Sequence, residues 1–131
     1  MKILVTGGAG YLGNVIIREL LKNKHEITVI DNFMYNQQSS LLTLSKNEKI
    51  NIIKSDVRNY KLLKEEVKKN DVIIPLAAIV GAPACDLNPD LATELNFNQI
   101  KNIKELMTKD QLIILPVTNS GYGIGKKDLY C

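Results

Sequence analysis

Thr6-Gly7-Gly8-Ala9-Gly10-Tyr11-Leu12-Gly13 is the stretch on which the fold turns. Before it lies Lys2–Thr6, a continuous apolar run of the sort a buried parallel strand needs. After it, Tyr11–Lys22 places Leu12, Val15, Ile16 and Leu20 at helical spacing. Gly7, Gly10 and Gly13 therefore stand between a strand and a helix, spaced G-x-x-G-x-x-G, and this context gives a short glycine pattern its meaning. Gly7 permits a tight turn, Gly10 lets a pyrophosphate approach the backbone, and Gly13 lets the helix pack closely on the strand. The helix N-terminus presents N–H groups and partial positive charge to phosphates. A glycine-rich turn with no ligand is the plainer alternative.

The same alternation continues outward. Ile27–Ile30 reads as a second strand, Ile50–Lys54 as a third, and Asn59–Lys69 as an amphipathic helix using Leu62, Leu63 and Val67. Val72–Ile74 is a fourth strand ended by Pro75, Pro89–Lys109 a long helix, and Gln111–Leu115 a fifth strand. In the polar segment between the second and third strands, Ser39 or Ser40 is placed to cap a short helix. Strands alternating with helices imply a parallel sheet with right-handed crossovers. The expected fold is α/β, a doubly wound Rossmann-like parallel sheet of five strands in order 3-2-1-4-5. Residues 1–115 form the expected dinucleotide-binding domain. Residues 116–131 read as the start of an active-site loop region, leading to a sixth strand and a substrate-binding part that 131 residues do not accommodate.

Composition narrows the function classes. Hydrophobic residues make up 45% and charged residues 24%, an ordinary globular balance that argues against disorder. The net charge is only +3, with lysines dispersed and no basic block interleaved with aromatics, so a nucleic-acid partner is not expected. No stretch is apolar and long enough to span a bilayer, and the N-terminal apolar run is too short for a signal peptide. Cys85 and Cys131 lie far apart without a Cys or His neighbour at ligand spacing, so no metal site is expected and a reducing cytoplasm fits.

Asp31 closes the second strand. An acid at that position accepts hydrogen bonds from the adenosine ribose hydroxyls and repels a 2′-phosphate, which selects NAD over NADP. An Asp capping a loop is the alternative. Asn96 stands four residues from Ala92 and from Ile100, a spacing that turns it inward on the long helix. A buried amide there would require partners, and a half-exposed Asn is the other reading.

Thr6–Gly13 followed by Asp31-Asn32 resembles the extended short-chain dehydrogenase/reductase family, NAD-dependent nucleotide-sugar epimerases, dehydratases and 4-dehydrogenases, over the first part of such an enzyme. The resemblance implies NAD, a nucleotide-sugar substrate, a cytoplasmic enzyme and a homodimer in the full-length form. It implies cofactor contacts from Gly7, Gly10, Tyr11, Leu12 and Gly13, and from Asp31 and Asn32. Asp56-Val57 matches the pair after the third strand whose Asp bonds the adenine amino group; capping the following helix is the alternative role. Leu76-Ala77-Ala78 matches the small-residue turn against the cofactor, although most relatives carry His where this chain has Pro75. Asn96 matches an Asn held near the nicotinamide.

Thr118-Asn119-Ser120-Gly121-Tyr122-Gly123 matches a family segment ending in Tyr-Gly, with the catalytic hydroxyl four residues before that Tyr. The resemblance assigns the role to Thr118, with Ser120 as runner-up. The family's dehydratases place an Asp-Glu pair directly after that residue; Asn119 and Ser120 stand there instead, and neither is an acid or base near neutral pH. Elimination chemistry is therefore disfavoured. Tyr122 and Lys126 fit the family's Tyr-x-x-x-Lys spacing, but two intervening glycines oppose the helix that this pair needs. The working Tyr and Lys are expected beyond residue 131, leaving this chain alone inactive. A narrower resemblance, through residues 73–78, Val80-Gly81-Ala82-Pro83, Cys85, Asn88-Pro89 and residues 118–125, is to the bacterial GDP-D-glycero-α-D-manno-heptose 4-dehydrogenase subgroup. The expected function is the NAD-binding portion of an oxidoreductase or epimerase acting at sugar C4. A non-catalytic NAD-binding module, or an inactive fragment, is the alternative.

Overall fold

The computed structural model describes residues 1–118. Its elements are β1 (Lys2–Thr6), α1 (Tyr11–Lys22), β2 (Glu26–Asp31), α2 (Ser39–Leu42), β3 (Ile50–Lys54), α3 (Tyr60–Lys69), β4 (Val72–Pro75), α4 (Ala82–Leu87), α5 (Pro89–Thr93), a π turn (Glu94–Asn98), α6 (Gln99–Leu106) and β5 (Leu112–Ile113). The five strands form one parallel sheet in the order β3-β2-β1-β4-β5, as expected from the sequence.

β1 alternates between two apolar layers, which is why it reads as an unbroken hydrophobic run. Ile3 and Val5 join Ile17 and Leu21 of α1 on one face. Leu4 joins Leu63 and Val67 of α3 and Ile103 of α6 on the other. Burying one such side chain stabilises the fold by about 1.5–3 kcal/mol. The inward stripe of α1 is Gly13, Ile17 and Leu21. This corrects the expected stripe: Leu12 and Val15 are exposed, while Ile16 and Leu20 are only partly buried. The close seat of Gly13 on the glycine loop sets the rotation of the helix.

Several boundaries also differ from expectation, each for a local reason. Pro75 belongs to β4, opposite Thr6. Ile73 O accepts from Ile114 N at 2.9 Å, so this alternate row of β4 faces β5. Pro75 is next in that row and has no N–H to give, and β5 stops at Ile113 rather than Leu115. The long helix ends at Leu106, where Met107 turns extended (ψ 149°), and it is interrupted by the π turn. α4 was not expected; it follows Gly81 (φ +91°) and opens with Pro83 in its first turn. Neither Ser39 nor Ser40 caps α2, whose N-cap is Gln38. The Ser40 hydroxyl instead donates to Ala9 O at 2.9 Å, tying α2 to the glycine loop.

Candidate cofactor site

At the end of β1 the chain turns at Gly7, with φ +69°. Glycine enters this left-handed region without steric cost. Space demands the same residue, since a Cβ here would stand 2.5 Å from Ala77 N. The glycine loop and the loop after β4 thus meet backbone to backbone. Gly13 is equally confined: a Cβ would meet Gly8 Cα at 2.7 Å and Gly7 O at 2.8 Å. Gly10 is different. A Cβ there would meet only Gly7 O among the described residues, at 3.3 Å, so it fronts open space that a larger side chain would fill.

Gly10 is also the N-cap of α1 and brings no side-chain capping bond. The first-turn N–H groups of a helix have no intrahelical partner, and the helix dipole adds positive potential there. An anion such as a pyrophosphate suits both features. The side chains of Tyr11 and Leu12 are exposed. Backbone N–H groups are what these two residues can offer a phosphate.

A cleft opens at the C-terminal ends of β1, β2 and β4. Gly7, Gly10, Asp31 and Asn32 line it with Val57 and Leu76-Ala77-Ala78. The sequence had named all of these. It had not named Phe33, Met34, Tyr35, Gln37 and Leu95, which line the same cleft. The apolar trio that follows Asp31-Asn32 was the available signal for the first three. Phe33 and Asn36 both adopt positive φ, +56° and +54°, and the Phe33 N–H donates to Asp31 Oδ1 at 2.7 Å.

Asp31 accepts a second bond, from Ala9 N at 2.9 Å on Oδ2. Its carboxylate therefore joins the glycine loop to the loop after β2. Each carboxylate oxygen can accept more than one bond, so the group retains capacity for ligand hydroxyls. Asp56 is held by Arg58: Nε donates to Oδ1 at 2.9 Å, a terminal guanidinium nitrogen to Oδ2 at 2.8 Å, and the Arg58 N–H to Oδ1 at 2.9 Å. The Asp56 pKa is lowered from 3.8 to about 2, first by its side-chain hydrogen bond to Arg58. Asp56 does not cap the following helix. That role falls to Asn59, which accepts from Leu62 N at 3.3 Å immediately before α3 begins.

Asn96 departs from the inward placement expected of it. The residue is exposed, yet its amide grips one peptide: Oδ1 accepts from Ile79 N at 2.9 Å and Nδ2 donates to Ile79 O at 2.8 Å. The buried amide on this helix is Gln99, 2% exposed and hydrogen-bonded to Thr6 and Ala77. Its position four residues after Leu95 and four before Ile103 was the signal that could have found it. Thr118 is exposed and is not among the residues lining the cleft. Asn119, Ser120, Tyr122 and Lys126 lie outside the described residues. Among the described residues no helix is long and apolar enough to cross a membrane, and no group of three or more His, Cys, Asp or Glu is arranged to hold a metal ion.

The cleft fits a dinucleotide on its own geometry: an uncapped helix start at Gly10, a carboxylate at Asp31, and apolar walls at Val57 and Leu76–Ala78. Known proteins agree. The NAD dependent epimerase/dehydratase family matches residues 3–129. A UDP-N-acetyl-alpha-D-glucosaminuronate decarboxylase of Bacillus cytotoxicus is 32% identical over 125 residues, which is 95% of this chain and 38% of that protein. A UDP-glucose 4-epimerase of Rickettsia bellii is 28% identical over 135 residues, covering 97% of this chain and 39% of that protein. Among solved structures, the UDP-glucuronic acid 4-epimerase of Bacillus cereus, in complex with UDP-glucuronic acid and NAD, superposes with a TM-score of 0.86 at 27% identity, covering 99% of this chain and 44% of that one. The UDP-Glc/GlcNAc 4-epimerase of Campylobacter jejuni gives 0.82 at 28% identity, with 93% and 38% covered. This chain spans less than half the length of each of these proteins. By sequence and by fold, it belongs to the NAD dependent epimerase/dehydratase family.

Proposed function

We propose that this chain holds NAD in the cleft and forms the cofactor-binding part of an enzyme that moves hydride between NAD and C4 of a nucleotide-linked sugar. The observation that carries the reading is the meeting of Gly10, the uncapped start of α1 and Asp31 at one cleft. The N–H groups of Tyr11, Leu12 and Gly13 would hold the pyrophosphate. Asp31 would bind the adenosine ribose and exclude a 2′-phosphate. Asn32, Asp56 and Val57 would frame the adenine, with Asp56 an ionised acceptor for its amino group. Leu76-Ala77-Ala78 would pass against the nicotinamide half, and Asn96 would secure the Ile79 peptide beside it. When bound, the nicotinamide supplies a hydride acceptor or donor.

The Thr118 hydroxyl would orient the sugar O4 by hydrogen bonding. Asn119 and Ser120 offer no acid or base for water elimination, so oxidation at C4, ending as a ketone or an epimer, is the outcome that this reading favours. Residues 1–115 then act as the cofactor domain and 116–131 as the start of the active-site loop. A Tyr/Lys pair and a substrate-binding part would come from additional sequence, of the kind the longer relatives carry. The named relatives act on UDP-sugars, whereas residues 73–78, 80–83, 85, 88–89 and 118–125 resemble the GDP-heptose subgroup, and both nucleotides belong in the test. In the enzyme that includes that additional sequence, with the accepted UDP- or GDP-sugar deuterated singly at C3, C4 or C5, label from the C4-deuterated sugar is expected in the reduced cofactor. Label arriving from the C3- or C5-deuterated sugar instead would contradict the C4 assignment.

A further inference from the structure

Beneath the cleft lies a sealed polar cluster. Thr6 is 0% and Gln99 2% exposed. The Thr6 hydroxyl donates to Gln99 Oε1 at 3.0 Å, and the same Oγ1 accepts from Ala77 N at 3.3 Å. Gln99 Nε2 donates to Ala77 O at 2.9 Å and to Leu95 O at 3.0 Å. Among the described residues no buried side-chain nitrogen or oxygen lacks a partner.

The directions of these bonds determine one another. Two carbonyl oxygens require the amide NH2 of Gln99, so Oε1 must face Thr6. An oxygen facing Thr6 makes that hydroxyl the donor, which leaves a Thr6 lone pair for the Ala77 N–H. Both polar groups of Ala77 are thereby held by two side chains in separate elements, β1 and α6. Ala77 is also the residue whose backbone stands against Gly7. Gly7, Ala77 and Leu95 all line the cleft.

A buried amide is costly unless its hydrogen bonds are satisfied. Its neighbours Leu95 and Ile103 are apolar, so an apolar residue would suit the core stripe equally well. Gln99 begins α6 directly after the π turn, whose closing bond runs from Gln99 N to Glu94 O. Such one-turn insertions often occur at functional sites.

We propose that Gln99 is a positioning residue for the dinucleotide: through Thr6 and directly, it fixes the Ala77 peptide opposite Gly7 and so sets the passage that the ligand crosses. This rests on the NAD reading above. At 2% exposure Gln99 acts through Ala77 and not by ligand contact. Its hydrogen bonds do not reach Asp31, Asn32 or Val57, the residues proposed for the adenosine end. Loosening it therefore weakens ligands that cross the Gly7–Ala77 line and spares those that end at adenosine.

The test is calorimetric titration of NAD and of AMP into the wild-type chain, Gln99→Met, Thr6→Val, Thr6→Ser and the Gln99→Met/Thr6→Val double variant. Gln99→Met and Thr6→Val are each expected to lower NAD affinity about tenfold, while AMP changes by less than about twofold. The double variant should add little beyond either single one, because both break one network. Thr6→Ser keeps the hydroxyl and should retain NAD affinity. Unchanged NAD affinity in Gln99→Met, or equal weakening of NAD and AMP, would overturn the proposal while leaving the NAD reading intact. Failure of the wild type to bind NAD would overturn the NAD reading and this proposal with it. Should Gln99→Met not fold, the contrast between Thr6→Val and Thr6→Ser decides. Hydrogen exchange without ligand adds a separate criterion: the Ala77 amide must exchange faster in Thr6→Val than in wild type, and equal rates would refute the proposed support.

Discussion

Asp56 and Arg58, between β3 and α3, show how one side-chain pair can set a titration. The Arg58 guanidinium grips both oxygens of Asp56 and holds its pKa at about 2, below the ordinary 3.8. A depressed carboxylate pKa stabilises the fold above the unfolded value, and that contribution is lost as pH falls through the folded one. The window here runs from about pH 4 down to about pH 2. Solvent reaches the pair, so its worth is no more than about 1 kcal/mol. Arg58→Ala is expected to return the Asp56 pKa toward 3.8, read by NMR titration, and to flatten the acid limb of the stability curve. An Asp56 pKa that stays near 2 in the variant would contradict this cause. Gly7 and Gly13 were legible in the sequence because the backbone path admits no Cβ there, and the cleft positions of Gly10 and Asp31 followed from their places at a helix start and a strand end. Gln99 was not, because a glutamine on a helix is ordinarily a surface residue, and only the meeting of β1, the loop after β4 and α6 shows what it bonds.

Elements were legible where one local rule governs them and misread where a neighbour intervenes. The parallel sheet followed from alternation, and its order from the glycine turn after β1 that marks a dinucleotide-binding fold. The length of β5 did not, because it depends on the missing N–H of Pro75 on the adjacent strand. The long helix was legible as a helix but not as one broken by a π turn, and the inward placement of Asn96 was lost with that register. At α3 the competition between caps was decided by position: Asn59 directly precedes the first helical residue, and Asp56 lies too early. Asn59→Ala is expected to cost about 1 kcal/mol, read as a lowered denaturant midpoint with an unchanged slope. Asp56→Asn should leave the α3 cap intact. A neutral Asn59→Ala would mean that α3 is held by packing alone.

For the whole molecule, the parallel direction of the strands places their C-terminal ends on one side of the sheet, and the cleft follows from that arrangement. The ends of β1 and β2 deliver Gly7 and Asp31, the end of β4 delivers Leu76–Ala78, and Gly10 brings the uncapped start of α1 to the same cleft. The sequence made this much readable because each of those deliveries is local to a strand end. Thr118 shows the opposite case: it is exposed and does not line the cleft, and the role proposed for it comes from the family resemblance and not from a strand end at the cleft. NAD binding in this cleft, with Asp31 as the selective group, is the proposal on which the other roles depend. Calorimetric titration of NAD and NADP into the wild-type chain and Asp31→Ala tests it most directly. We expect NAD binding well below about 1 mM and NADP far weaker, with NAD weakened about tenfold or more in Asp31→Ala and the difference between the two cofactors narrowed. Equal binding of NAD and NADP by the wild type, or no NAD binding at about 1 mM, would contradict it.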